Sequence, residues 1–320
     1  MATDYILFIH GVNTRSSKFA SRLIGLIAKK EPFSGRHLKQ IPIYWGNLNN
    51  DREAKLLKAY RGVPIWKDLW FRNLRTSDLF RFSGDIALYL SRYIGGAIAD
   101  RIWDKVSPIF SDHDPDSRLH FVTHSLGTII FFDLLFSTRW DGPPSLPGYA
   151  CVQHLREAIY GITSTAQPAL VGMPLGSVTT MGSPIGLFSL IDIDYTTQEI
   201  RDVAGIPVAS HDITPRLQIM LKALNVRLSG RKLPWLNYIH PGDPIGSPLQ
   251  VLLPQLVDDP VGSYIKVQDM LVPVNIGSPL DMVGMLTQGT GISILDGLQA
   301  HGSYWRSGKV AEGIANIISQ

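Results

Sequence analysis

The chain is poor in cysteine. Among its 320 residues only Cys151 carries a thiol, so no disulfide can form within it, as is typical of a reducing compartment. No apolar run approaches the ~20 residues that a membrane helix needs. The N-terminal segment also lacks the basic stretch and the small-residue cleavage site of a signal peptide. We therefore expect a soluble, cytoplasmic protein.

Charge of one sign and metal-binding spacings are also lacking. The chain has 30 basic and 27 acidic residues, a net charge of +3, which does not indicate nucleic-acid binding. Its histidines do not show the H-E-x-x-H spacing of zinc sites, and the one H-x-x-x-H pair, His120 and His124, falls in a predicted strand and turn rather than on a helix, so we expect no metal and no cofactor. A hydrophobic content of 45% describes a well-cored globular protein. We expect a single domain over residues 1–320.

Apolar runs and helical patterns alternate along the chain. Residues 5–9 form a continuous apolar run, as in a strand covered on both faces. Further strands are predicted at 41–45, 119–122, 176–181, 235–239 and 270–275, and Pro42 indicates either the start of the first of these or a position near the sheet edge. Helical periodicity separates them, for example over residues 85–110. This order predicts an α/β fold with a mostly parallel central sheet and helices on both faces.

The most informative stretch is L-H-F-V-T-H-S-L-G at 119–127. An apolar strand, a tight turn and an immediate helical pattern are the context of a nucleophile elbow, which exposes one side chain on a strained turn. Ser125 is the candidate nucleophile, and Gly127 supplies the small residue that the turn needs. Thr123 stands where the G-x-S-x-G pattern has glycine. An ordinary strand-to-helix turn capped by Ser125 is the alternative.

The first predicted strand ends in His10-Gly11-Val12-Asn13. Glycine lets the backbone turn so that a following N–H points into a site, which suggests an oxyanion-hole loop. Val12 N–H is the first candidate donor, and Leu126 N–H, directly after the nucleophile, is the second. Asn13 is expected to support the loop, and His10 to shape the site. The alternative is a plain turn at a strand end.

Two later stretches supply an acid and a base. Asp243 lies on a Pro/Gly turn after the strand at 235–239, where a triad acid would orient an imidazole. An Asx-turn within D-P-I-G is the competing interpretation. His301 lies on a predicted short loop before the last helical pattern, downstream of both Ser125 and Asp243. His240 is the less favoured base, because it precedes Asp243 so closely.

Residues 51–84 combine basic and aromatic side chains. Between Arg52 and Arg81, basic residues outnumber acidic ones by eight to three, with Trp66 and Trp70 among the interleaved aromatics. One interpretation is a helical cap or lid inserted into the domain, with peripheral contact to an anionic lipid surface. The other is a surface excursion whose aromatics pack on the sheet domain.

The order Ser125, Asp243, His301, with H-G-V-N after the first strand, resembles that of the α/β-hydrolase superfamily. T-H-S-L-G, the W-L-N strand before D-P-I, and H-G-S-Y-W are similar to the serine esterase and lipase branch, including its deacylase-like group. The resemblance implies an ester hydrolase acting through Ser125, His301 and Asp243, with a small-molecule or lipid ester as substrate. It also leaves Asp192 open as the acid, because some members place it after the preceding strand. Asp281 and Asp296 are closer to His301 in sequence, without a convincing strand before them.

Other activities stay open at this point. A thioesterase or an acyltransferase would use the same triad, since both pass through an acyl-enzyme. A binding or scaffold protein with this fold, its triad idle, is the alternative from another class.

Overall fold

The architecture is taken from a computed structural model of the chain. It describes residues 2–30, 35–48, 50–68, 84–87, 89–111, 113–161, 172–188, 213–214, 216–273 and 294–320.

Six strands form one sheet in which every pairing is parallel. Its strands are β1 (Thr3–Ile9), β2 (His37–Ile43), β3 (Arg118–His124), β4 (Leu175–Met181), β5 (Leu233–Ile239) and β6 (Ile265–Leu271). They lie in the order β2-β1-β3-β4-β5-β6. The predicted α/β class with a parallel central sheet is confirmed. Pro42 lies in the edge strand β2, where a missing N–H leaves no gap in the interior of the sheet.

Helices connect the strands, as parallel pairing requires. They are α1 (Ser21–Ala28), α2 (Asn50–Gly62), α3 (Arg92–Ser111), α4 (Leu126–Leu135), α5 (Tyr149–Tyr160), α6 (Ile185–Phe188), α7 (Leu217–Arg227), α8 (Leu252–Leu256), α9 (Ile294–Gly302) and α10 (Gly308–Ile318). Short 3₁₀ helices lie at Pro64–Asp68, Thr138–Trp140 and Ser303–Arg306.

The two faces of the sheet bury separate hydrophobic clusters. Successive side chains of a strand point to opposite faces, so Leu7 and Ile9 enter one cluster while Ile6 and Phe8 enter the other. The first cluster packs under α3, α4, α5 and α7, and the second under α1 and α10. Full burial of a side chain of this size stabilises the fold by ~1.5–3 kcal/mol. The run at residues 5–9 of β1 is therefore apolar on both faces, as the sequence predicts.

Some boundaries differ from those expected. The last strand runs over Ile265–Leu271 rather than 270–275. It lies at the sheet edge and alternates polar with apolar residues, whereas the local apolar run continues past its end. His301 lies in the last turn of α9, not on a loop, and the 3₁₀ helix Ser303–Arg306 continues from it.

Part of the predicted cap at 51–84 is described. The helix α2 and the 3₁₀ helix Pro64–Asp68 occupy its first half, and residues 69–83, including Trp70, lie outside the described residues. Among the helices that are described, none is long and apolar enough to cross a bilayer.

Candidate active site

The carboxyl ends of the central strands bring the predicted site residues to one edge of the sheet. Gly11 follows β1, Ser125 follows β3, and Asp243 follows β5. Because the strands are parallel and adjacent, these loops meet at the same edge, where open α/β sheets bind ligands. His301, at the end of α9, packs against them through its contact with Asp243.

Ser125 sits on a strained turn between β3 and α4. Its backbone has φ 54° and ψ −130°, and a positive φ costs a non-glycine residue ~1–3 kcal/mol unless the surroundings impose it. They do so here: Ser125 N–H donates to Met181 O over 3.0 Å, and Thr128 N–H donates to Ser125 O over 2.8 Å. This is the strand-turn-helix geometry expected of a nucleophile elbow.

Two glycines let the loop after β1 approach this turn. A Cβ on Gly127 would lie 2.5 Å from Ile9 O and 2.7 Å from His10 O. A Cβ on Gly11 would lie 2.3 Å from Ser125 Cβ and 2.8 Å from Ser125 Oγ. Real Cβ atoms do not come so close, so both positions require glycine. The backbone at Gly11 is therefore in direct contact with Ser125.

Thr123, which replaces the first glycine of G-x-S-x-G, meets no such constraint. It pairs with Ile9 in β1 and with Thr180 in β4 as an ordinary residue inside the sheet. Its Oγ1 is buried and has no hydrogen-bond partner among the described residues. Threonine is tolerated at position 123 in place of glycine, because the residue that approaches β1 closely is Gly127.

His10 joins the H-G-V-N loop to Trp45 through two hydrogen bonds. Its Nε2 accepts a hydrogen bond from Trp45 N–H over 3.0 Å, and His10 O accepts one from Trp45 Nε1 over 3.0 Å. Burial lowers the pKa of His10 to about 3, so its imidazole is neutral and serves as a packing and hydrogen-bonding group. The expected shaping role of His10 fits this placement.

Val12 and Leu126 present free backbone donors near Ser125. Leu126 is the first residue of α4, whose N–H has no partner within the helix. In the part of the chain that the structure describes, no hydrogen bond uses Val12 N–H. Asn13 N–H, by contrast, donates to Asp85 Oδ2 over 2.7 Å. Asn13 N–H is thus occupied, whereas Val12 N–H is available.

Asp243 and His301 form a buried pair. His301 Nδ1 lies 3.0 Å from each carboxylate oxygen of Asp243, and the two residues are 6% and 5% exposed. A proton on Nδ1 satisfies this contact and leaves Nε2 with its lone pair. His301 Nε2 is buried with no hydrogen-bond partner among the described residues, so it makes no hydrogen bond to Ser125 Oγ in this structure.

Further donors fix the Asp243 carboxylate. Tyr304 OH donates to Oδ2 over 2.7 Å and accepts from His240 N–H over 2.8 Å. Ile245 N–H donates to Oδ1 over 2.9 Å, so the Asx-turn weighed against the triad role coexists with the His301 contact. Burial opposes ionisation, but the bonds from His301, Tyr304 and Ile245 outweigh it and lower the pKa of Asp243. Asp243 is an anion at neutral pH.

His124 lies beside the pair without joining it. Its Nε2 donates to His301 O over 2.6 Å, and the two rings are 4.6 Å apart. Burial, with the neighbouring His301, lowers the pKa of His124 to about 3. The hydrogen bond from the neutral His124 therefore joins the end of α9 to the turn that carries Ser125.

Another aspartate, histidine and serine meet at the opposite edge of the sheet. His120 Nδ1 is 2.7 Å from Ser177 Oγ, and its Nε2 is 3.3 Å from Asp4 Oδ1. Asp4 is already paired with Arg36 and Arg118. Ser177 lies inside β4, whereas Ser125, which is equally buried at 2% exposed, lies on the strained turn after β3. A serine within a paired strand is not presented to a substrate, so this is a structural cluster.

The remaining candidates are placed as follows. Asp192 and Asp281 lie outside the described residues, as does the side chain of Asp296. His240 Nδ1 accepts from Gly242 N–H over 3.1 Å, a local contact within the turn. No group of three or more His, Cys, Asp or Glu among the described side chains is arranged to hold a metal ion.

Sequence reasoning missed two features of the site. Tyr304 as a donor to Asp243 and Asp85 as the acceptor for Asn13 N–H are contacts across 61 and 72 residues of sequence. In the sequence, the Tyr304-Trp305 pair indicated the region around His301, but no motif indicated Asp85.

No protein-family model matches the chain, and no curated protein matches it. Among solved structures it is similar to a chain from the metagenome-derived lipolytic enzymes LipS and LipT, at 11% identity over 85% of this chain and 84% of that one, TM-score 0.30. It is also similar to an acetyl xylan esterase, at 11% identity over 98% and 96%, TM-score 0.33. A metagenomic carboxyl esterase matches at 11% identity over 99% and 76%, TM-score 0.29. Such identities and TM-scores are too low to carry over a substrate or a catalytic residue.

Proposed function

We propose that the protein is a serine hydrolase that cleaves carboxylic esters through Ser125, His301 and Asp243. The observation that carries this proposal is the Asp243–His301 pair, whose unpartnered Nε2 lies at the sheet edge that also holds the strained Ser125 turn. A buried acid, an oriented imidazole and a serine on an elbow are the parts of a nucleophilic triad.

The proposed reaction uses these groups in turn. His301 Nε2 takes the proton of Ser125 Oγ as the oxygen attacks the ester carbonyl, and Asp243 stabilises the imidazolium. Val12 and Leu126 N–H bind the oxyanion, where one such donor is worth roughly 3 kcal/mol. The imidazolium then protonates the departing alcohol. Water, deprotonated by His301, releases the acid from the acyl-enzyme on Ser125.

Labelling with a fluorophosphonate probe tests the nucleophile. We expect the wild type to be labelled and Ser125→Ala to be folded but unlabelled and inactive on acyl esters. Ser111→Ala, which changes an exposed serine at the end of α3, is the matched control and should label like the wild type. A folded Ser125→Ala protein with full activity would end the proposal. An unlabelled wild type would favour the scaffold alternative.

Two variants test which aspartate is the acid of the proposed triad. Asp243→Asn should lower kcat by about four orders of magnitude, because the amide favours the wrong imidazole tautomer, while Asp192→Asn should not. The reverse result would move the acid to Asp192. Adding an alcohol acceptor or a thioester substrate then separates an esterase from an acyltransferase or a thioesterase, since the three share the acyl-enzyme.

We also propose that α2 meets an anionic lipid surface, which suits a lipid ester as substrate. Four large apolar side chains around it are 41–63% exposed, namely Leu56, Tyr60, Val63 and Ile65. We call these four residues the α2 apolar stripe. Exposed basic residues flank it, namely Lys55, Lys58, Arg61 and Lys67. Apolar residues beside cations are typical of helices that lie at a membrane surface. A cytoplasmic location remains a prediction.

A further inference from the structure

The loop after β1 is fastened to a buried carboxylate outside the proposed triad. Asn13 has a left-handed backbone with φ 55°, and its N–H donates to Asp85 Oδ2 over 2.7 Å. Asp85 is 1% exposed and belongs to the helical stretch at 84–87. The bonded N–H belongs to the peptide that joins Val12 to Asn13. The contact therefore fixes the peptide plane next to the Val12 N–H.

A second carboxylate is tied to the same loop through Arg15. Its Nη2 donates to both carboxylate oxygens of Glu53 over 2.8 and 2.9 Å, and its Nη1 donates to Gly46 O over 3.2 Å. The same Nη2 lies 4.0 Å from Asp85 Oδ2. Glu53 belongs to the first turn of α2, and Gly46 follows β2. One guanidinium thus joins the loop to α2, to the end of β2 and to the stretch at 84–87.

The cluster holds two buried carboxyl groups beside this guanidinium. Burial raises the pKa of Glu53, and the neighbouring Asp85 adds to this against the opposing effect of Arg15. Buried ionic clusters rarely stabilise a fold more than apolar packing of the same size would. What this cluster does provide is one defined geometry for the loop, set by hydrogen bonds of fixed length and direction.

The geometry of this loop matters because it touches the nucleophile. Gly11, one residue before Val12, has no room for even a methyl group against Ser125. An oxyanion donor works only when it is held in place before the reaction, and misplacement by about 1 Å can cost 100-fold in rate. A group that fixes the Val12–Asn13 peptide therefore acts on the rate without touching substrate.

We propose that Asp85, supported by Arg15 and Glu53, is a positioning residue that holds the H-G-V-N loop so that Val12 N–H faces the developing oxyanion. This inference rests on the proposed function. It also makes the first turn of α2, through Glu53, part of the support of the active site.

The test compares two buried aspartates near β1. Asp85→Ala removes the acceptor at the carboxyl end of the strand, and Asp4→Ala removes a carboxylate of the same 1% exposure near its amino end. We expect Asp85→Ala to lower kcat about 10- to 100-fold with KM within about threefold of wild type. Asp4→Ala should reduce thermal stability and leave kcat per folded molecule unchanged. Asp85→Asn, which keeps an oxygen for Asn13 N–H, should recover most of the loss.

Amide hydrogen exchange of the peptide covering residues 10–15 provides a readout that needs no activity. It should quicken in Asp85→Ala and remain as in wild type in Asp4→Ala and Asp85→Asn. Wild-type kcat in Asp85→Ala, an equal kcat loss in Asp4→Ala, or unchanged loop exchange would each overturn the positioning role. If the wild type reacts with neither fluorophosphonate nor esters, the proposed function fails. Loop exchange then still decides whether Asp85 anchors the loop.

Discussion

Replacing Gly11 with alanine tests the contact between the H-G-V-N loop and Ser125 with a single methyl group. The added carbon would lie 2.3 Å from Ser125 Cβ, 2.8 Å from Ser125 Oγ and 2.8 Å from His124 O. Carbon atoms in favourable contact are ~3.5–4.0 Å apart, so the loop and the Ser125 turn must separate by about 1 Å. Neither side yields easily, because β1 is paired on both sides and Ser125 N–H is bonded to Met181 O.

The expected loss follows from that displacement. Overpacking of this kind costs ~1–3 kcal/mol of folding free energy, which a well-cored domain survives. Moving Val12 N–H away from the oxyanion should lower kcat by about 10²- to 10³-fold. Steady-state hydrolysis of a p-nitrophenyl ester, the rate of fluorophosphonate labelling and urea unfolding measure the three quantities on one preparation.

Gly25 supplies the matched control. It lies in α1, and a Cβ there would meet no atom within 4 Å. Gly25→Ala should raise the unfolding free energy by ~0.5–1 kcal/mol, because alanine is the better helix former, and should leave kcat unchanged. A Gly11→Ala protein with wild-type kcat and stability would refute the reasoning, since the loop would then not lie against Ser125.

Three further outcomes are expected. Tyr304→Phe should lower the unfolding free energy by ~1–3 kcal/mol in urea titrations, because Asp243 loses a donor and a backbone N–H loses its acceptor; unchanged stability would contradict this. Burial lowers the pKa of His10 and of His124 to about 3. Unfolded histidines take up protons below pH ~6.5, while these stay neutral in the folded state. Stability should therefore fall from pH 6.5 to 5 by roughly 1 kcal/mol per pH unit for each histidine, and a flat urea midpoint over that range would oppose it. Leu56→Asp in the α2 apolar stripe should reduce co-sedimentation with phosphatidylserine vesicles but leave hydrolysis of a soluble ester unchanged; equal binding would remove α2 as the contact.

The fold and the meeting of the candidate site residues at one edge of the sheet could be predicted because their signals are local. The run at 5–9 is apolar since both faces of β1 are covered, and the T-H-S-L-G turn needs a small residue where Gly127 meets β1. The order of Ser125, Asp243 and His301 follows from the order of the strands. Features of this kind can be recognised from a few consecutive residues of the sequence.

The other features of the site depend on contacts between residues that are far apart in the sequence, and no local sequence pattern indicates such contacts. Asp85 meets Asn13, and Tyr304 meets Asp243, only after the sheet has formed. The position of β6 was missed because an edge strand buries one face at most, so its apolar pattern is weaker than that of the run following it. The sequence predicts His301 on a short loop before the last helix, whereas a helix runs to Gly302 and a 3₁₀ helix continues from it.

The packing of α1 against α10 has a consequence for folding kinetics. These two helices cover one face of the sheet from opposite ends of the sequence, and closing so long a loop is entropically slow. Until α10 arrives, the side chains of Ile6, Phe8 and Val122 on that face are only half covered. A partly folded chain would therefore expose an apolar surface that promotes aggregation. We expect refolding yield to fall with protein concentration more steeply than it would for a protein whose sheet is covered by sequence neighbours.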